Sequence, residues 1–152
     1  MQVELEDAVP EAFEMVINYI YTDRIVPPKK SEDDFTNRIV LLMMDVYALA
    51  VQFNMKRLEL LCFHYLEATI NYTNVLVALR NAAHLNLYFV KDLCLNFVVK
   101  DSNYNQIVMS KEFESLEQPL IVEIIRRKQI MPQPKHIFKK IDTGTDLGKF
   151  YF

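Results

Sequence analysis

Three histidines, two cysteines and a few paired acids are the residues of this 152-residue chain whose types allow chemistry. His64, His84 and His136 fall on separate stretches, and none has an i, i+4 histidine or a cysteine at metal-ligand spacing, so no zinc ligand set forms. Cys62 and His64 lie two residues apart. On a helix that spacing turns the side chains to different directions, which leaves the thiol without a base. Both Cys62 and Cys94 occupy apolar helical positions and read as reduced, buried thiols. Asp33 and Asp34 lie in a polar stretch broken by prolines, where solvation is their ordinary role; acid–base catalysis needs a cleft that the sequence does not supply. Gly144-Thr145-Asp146-Leu147-Gly148 lacks the lysine and following hydroxyl residue of a phosphate-binding loop, and it lies outside any apolar span that would make it a helix-packing motif. The expectation is a chain with no enzymatic activity, no metal and no cofactor.

What these residues sit on is helical. About half of the chain is apolar, enough for a real core, and its only glycines, Gly144 and Gly148, stand near the end. Sheet proteins usually draw on glycine for their hairpin turns; helical hairpins do not. The expected fold is mainly α, a stack of helical hairpins with at most a short residual strand or two. A net charge of −3 and the lack of a basic stripe with interleaved aromatics argue against nucleic acid. The basic cluster Arg126-Arg127-Lys128 falls where a helix C-terminus is expected and complements its dipole. The longest purely apolar run, residues 39–44, is far too short to cross a bilayer. With no signal peptide visible, a cytoplasmic placement is expected.

Val3 and Leu5 alternate with polar neighbours and suit a short strand, with residues 24–26 as a weak second. Pro10 is placed to open a helix carrying Phe13, Val16, Ile17, Ile20 and Tyr21 at helical spacing, ending near Thr22-Asp23. Residues 27–34 read as an exposed loop. A second helix from about Asp34 carries Ile39, Met43, Val46, Tyr47 and Ala50 and stops near Asn54. A third carries Leu58, Leu61, Cys62, Tyr65 and Leu66. Thr73 is placed to cap a fourth with Val75, Leu76, Leu79, Ala82 and Ala83, and after Asn86 a fifth presents Leu87, Val90, Cys94, Phe97 and Val98. Short connections make neighbours antiparallel. One or two short helices follow between Asp101 and Glu117, and Pro119 opens a last one with Leu120, Ile121, Ile124 and Ile125. Pro132 and Pro134 break the pattern, so residues 131–152 read as a linker or tail.

Several of these stretches resemble a known family. VELEDAVPEAFEMVINYIYTDRI, residues 3–25, looks like the last strand and following helix of a BTB fold, with YIYTD at residues 19–23 as its most recognisable part. LLMMDVYALAVQFNMKRLELLC is similar to the closing pair of BTB helices. NVLVALRNAAHLNLYFVKDLCLNFV resembles the start of a BACK domain, and VKDSNYNQIVMSKEFESLEQPLIVEIIRRKQ is similar to the BACK domain of adaptors that carry kelch repeats and two BTB-BACK units. The resemblance divides the chain into the C-terminal half of a BTB domain at 1–70, a BACK domain at 71–130 and the tail. The first half of the BTB, with the helix through which such domains dimerise, is expected to lie before Met1, and the kelch repeats that would receive substrate are not found in this sequence.

The resemblance implies a substrate adaptor for a cullin-3 RING ubiquitin ligase, with Ras-family GTPases recruited through the kelch repeats, and an association with endomembranes. On the same grounds Tyr21 stands where cullin-binding BTB domains present an aromatic ring, and Val77 and Arg80 on the first BACK helix supply a second contact. The alternative is that Tyr21 merely completes the apolar stripe of its helix. Two other functional classes are open. One is a module that self-associates or scaffolds through its hairpins without touching a cullin, since uncovered apolar faces favour a homo-oligomer. The other is a DNA-associated regulator, which the acidic balance disfavours.

Overall fold

The computed structural model describes residues 10–27 and 35–130, with the side chains of residues 35 and 36 outside that description. Among the described residues there are eight helices and no strand: α1 (Pro10–Thr22), α2 (Phe35–Gln52), α3 (Lys56–Thr69), α4 (Val75–His84), α5 (Tyr88–Val99), α6 (Asp101–Val108), α7 (Lys111–Glu114) and α8 (Gln118–Ile130). The mainly helical expectation holds. Residues 24–26 are irregular rather than extended into a sheet, and the proposed strand at Val3 and Leu5 lies outside the described residues.

Two helical hairpins form the centre, and they are built alike. α2 and α3 turn at Asn54, α4 and α5 at Asn86, and both asparagines adopt the left-handed conformation, at φ 56° and 55°. Asparagine tolerates that region better than most residues. In each turn the chain closes with the same bonds: Met55 N–H donates to the Ala50 carbonyl at 2.8 Å, and Leu87 N–H to the Ala82 carbonyl at 2.9 Å. This is the glycine-free form of the usual helix C-terminal lock. The sequence repeats with the geometry, since Ala50, Leu58, Cys62 and Leu66 correspond to Ala82, Val90, Cys94 and Val98, all buried. The hairpins stack with α2 beside α4 and α3 beside α5, while α1 lies on α2 and α8 lies on α5.

Between the hairpins the chain turns on a buried polar residue. Thr73 is not the cap of α4; Asn74 holds the N-cap position without a side-chain capping bond. Its amide is spent on the joint itself, accepting from Asn71 N–H at 2.8 Å and donating to the Thr69 carbonyl at 3.0 Å. Thr73 instead joins its hydroxyl and N–H to Asn71 Oδ1. A fully buried asparagine is tolerated because its carboxamide is satisfied.

One helix is rotated from its expected phase. The stripe α1 buries is Ala12, Met15, Val16 and Tyr19, whereas Ile17, Ile20 and Tyr21 face outward. Both sets follow the i, i+3, i+4 pattern, so spacing alone does not choose between them. The buried set places small Ala12 at the contact with α2, which permits close approach.

The basic residues near the end of α8 do more than complement its dipole. Arg127 donates to Asp92 at 2.9 Å and to Asn96 at 3.0 Å on α5, while Lys128 donates to the Val99 carbonyl at 3.0 Å and sits over the Tyr104 ring. With Lys91–Glu123 at 2.8 Å, they fasten α8 along α5.

Candidate partner-binding surface

The end of α1 is fixed by three local interactions. Thr22 Oγ1 donates to the Asn18 carbonyl at 2.6 Å, Asp23 N–H donates to the Tyr19 carbonyl at 2.7 Å, and Asp23 turns left-handed at φ 58°. The Asp23 carboxylate then pairs with Arg57 at the start of α3, which ties the end of α1 to the α2–α3 turn. On this braced corner Tyr21 projects outward at 84% exposure, with Ile20 and Val26 also well exposed. Tyr21 therefore does not complete the buried stripe; Tyr19, two residues earlier, does that. A large ring held at a fixed helix end, apolar on its faces and polar at its hydroxyl, is suited to anchoring a partner.

Val77 and Arg80 lie on one side of α4, apart from Tyr21. Val77 is half-buried in a groove that Glu11, Arg38, Leu41, Leu42 and Asp45 also line. Arg38 and Glu11 bridge that groove at 3.0 Å, and burial pushes the Asp45 carboxyl above the usual carboxylate range. Glu11 lies in the first turn of α1 and Tyr21 in its last, about 15 Å apart along the helix axis. Arg80 is engaged within the fold: it donates to the Ser115 carbonyl at 2.9 Å and lies 4.0 Å from Glu117, which also meets His84 at 3.2 Å. Thus Val77 and Arg80 share α4, and Tyr21 stands on α1, apart from them.

Among the described residues His84 pairs with Glu117 and His64 with Glu67, both at the exposed surface, and no group of three or more His, Cys, Asp or Glu residues is placed to hold a metal ion. Cys62 and Cys94 are free and buried, and burial pushes each thiol up to about 12, which leaves them protonated and inert. No described helix is long and apolar enough to cross a membrane.

A second surface escaped the reading of the sequence. Leu60, Phe63 and Phe89 line an apolar groove between α3 and α5, with Tyr47 at its side and Lys56 and Glu59 at its edge. Leu60 and Phe89 are exposed by 56% and 72%. Their signal was available: both are apolar residues standing off the buried stripe of their helices.

Comparison with known proteins places the chain among relatives. Residues 1–70 match the BTB/POZ domain family. The chain is 46% identical over 147 residues to the human leucine-zipper-like transcriptional regulator 1, covering 97% of this chain and 17% of that protein. The Drosophila melanogaster homolog is 46% identical over 128 residues, 84% of this chain and 13% of that protein. Human BTB/POZ domain-containing protein 9 is 27% identical over 137 residues, 90% of this chain and 21% of its own length. The chain thus spans less than a quarter of each of these relatives. No solved structure matches it.

Proposed function

We propose, from the match of residues 1–70 to the BTB/POZ domain family, that the chain is a non-catalytic adaptor module that docks on cullin-3 in a RING ubiquitin ligase. The observation that carries the reading is the exposed Tyr21 ring on the braced end of α1. Tyr21 is the anchor in this account, and Val77 and Arg80 on α4 form a second, weaker contact. Residues 71–130 act as the BACK domain that couples this end to the rest of the assembly. Such an adaptor works by raising the effective concentration of a bound substrate beside the ligase, which calls for rigid coupling and no reactive side chain. Ras-family GTPases, recruited by kelch repeats elsewhere in such a protein, are the substrates the resemblance implies. The test is titration of the chain with purified cullin-3 followed by light scattering. A complex supports the reading, and no association at tens of micromolar, roughly a Kd above 10⁻⁴ M, overturns it.

A second reading is favoured by the row Ile17, Ile20, Tyr21 and Val26, all exposed apolar side chains. In it this face meets a second copy of the chain rather than a cullin. A mass that rises with concentration and falls back to the monomer in Ile20→Asp, without any cullin-3 affinity, distinguishes the two.

A further inference from the structure

The outward faces of α3 and α5 occupy equivalent places in the two hairpins, and among the described residues a further helix covers that of α5 but not that of α3. On α5 the covered positions are Lys91 and Asp92. α8 answers them with Glu123 at 2.8 Å and Arg127 at 2.9 Å, two residues one helical turn apart. The equivalent positions on α3 are Glu59 and Leu60. Here the charges are changed: a carboxylate replaces the ammonium, and an apolar side chain replaces the carboxylate.

No described helix lies over Leu60 as α8 lies over Asp92. Leu60, Phe63 and Phe89 instead line the open groove. At its edge the Oε2 atom of Glu59 is buried and accepts no hydrogen bond among the described residues, although it forms an ion pair with the exposed Lys56 Nζ at 3.3 Å. Burial, and after it the nearby Glu59 and Cys62, push the Tyr47 hydroxyl above its usual range. A buried acceptor beside exposed apolar side chains asks for a donor that arrives together with an apolar group.

We propose that the α3–α5 groove docks an amphipathic helix of a partner protein carrying a lysine or arginine at position i and a leucine, methionine or phenylalanine at i+4. The cation meets Glu59 as Glu123 meets Lys91, with the signs exchanged. The apolar residue packs on Leu60, Phe63 and Phe89, where Arg127 covers Asp92 in the second hairpin. Tyr21 is not among the residues that line this groove, and the proposal does not depend on cullin-3 binding.

The experiment is selection from a displayed library of helical peptides about 15 residues long, long enough for partial helicity, against the whole chain. The expected result is enrichment of Lys or Arg followed four residues later by an apolar residue. Binding of the enriched peptide should fall at least about tenfold in Leu60→Asp and in Phe89→Asp. Both residues are exposed, so an unchanged thermal midpoint in either variant shows that the fold is kept. In Glu59→Lys the peptide should lose affinity and regain it when its own cation is replaced by glutamate. Enrichment of no such pattern, or equal binding to wild type and both Asp variants, overturns the proposal.

Discussion

The guanidinium of Arg80 on α4 donates to the backbone carbonyl of Ser115, 2.9 Å away, just beyond α7. The bond joins the second hairpin to the loop that leads into α8, and the same side chain approaches Glu117. Arg80→Ala should therefore lower folding stability by about 1 kcal/mol, less than a fully buried charged hydrogen bond because the side chain is partly solvated. Denaturant unfolding reads the change directly. Arg80→Ala should also weaken cullin-3 less than Tyr21→Ala does; the reverse order would move the centre of the interface onto α4.

Leu79 is fully buried on α4, the helix that packs on α5 and α2. Leu79→Ala removes most of a core side chain and leaves a cavity, at a cost of roughly 2–5 kcal/mol. Chemical denaturation checks this, and a loss under about 0.5 kcal/mol would mean that the α4–α5 packing is different from that described.

Asn54 and Asn86 close the two hairpins in the left-handed conformation. Alanine keeps the Cβ but lacks the short polar side chain that lets asparagine tolerate the left-handed region, and the replacement should cost about 1 kcal/mol. Glycine at the same positions should be tolerated at near wild-type stability. Thermal melts of the four variants give the comparison, and alanine matching glycine would rule out the positive φ as a source of the effect.

Much of the fold is legible in these residues. The turns at Asn54 and Asn86, the end of α1 at Thr22-Asp23 and the opening of α8 near Pro119 follow from local chemistry. So does the α4 stripe, where Leu76, Leu79 and Ala82 point to one side and Arg80 to another. The phase of α1 was not legible, because two apolar stripes overlap on it and only contact with α2 selects Ala12, Met15, Val16 and Tyr19. The same ambiguity left open whether Tyr21 was core or surface. The role of Asn74 was hidden for another reason: Thr73 and Asn74 are both capable caps, and it is the bonds to Asn71 and Thr69 across the joint that decide which of them is buried. Leu60 and Phe89 stand off the buried stripes of their helices in the sequence, but that they share one groove follows only from the packing of α3 beside α5.

Cys62 and Cys94 have their thiols pushed up by burial from an ordinary 9.0 to about 12. Burial disfavours the thiolate, so the unfolded chain loses these protons at lower pH than the folded one. Their contribution is thus intact below pH 9 and is lost as the pH rises from about 9 to about 12. Tyr47 and Tyr65, also raised by burial, push in the same direction. Stability measured by denaturant should fall through this alkaline window. At pH 8 both thiols should resist iodoacetamide in the folded chain and react once it is unfolded; rapid labelling of the native chain would show that the cysteines are accessible.

The central claim is that Tyr21, braced by the Asp23–Arg57 pair, anchors cullin-3. It is tested most directly by calorimetric titration of purified cullin-3 into the wild-type chain and into Tyr21→Ala, with thermal midpoints taken on the same samples. The account predicts that the substitution weakens binding by about 2 kcal/mol or more. The midpoint should barely move, since an exposed ring contributes little to the core. Equal affinity of the two proteins at unchanged midpoints would contradict the assignment of Tyr21.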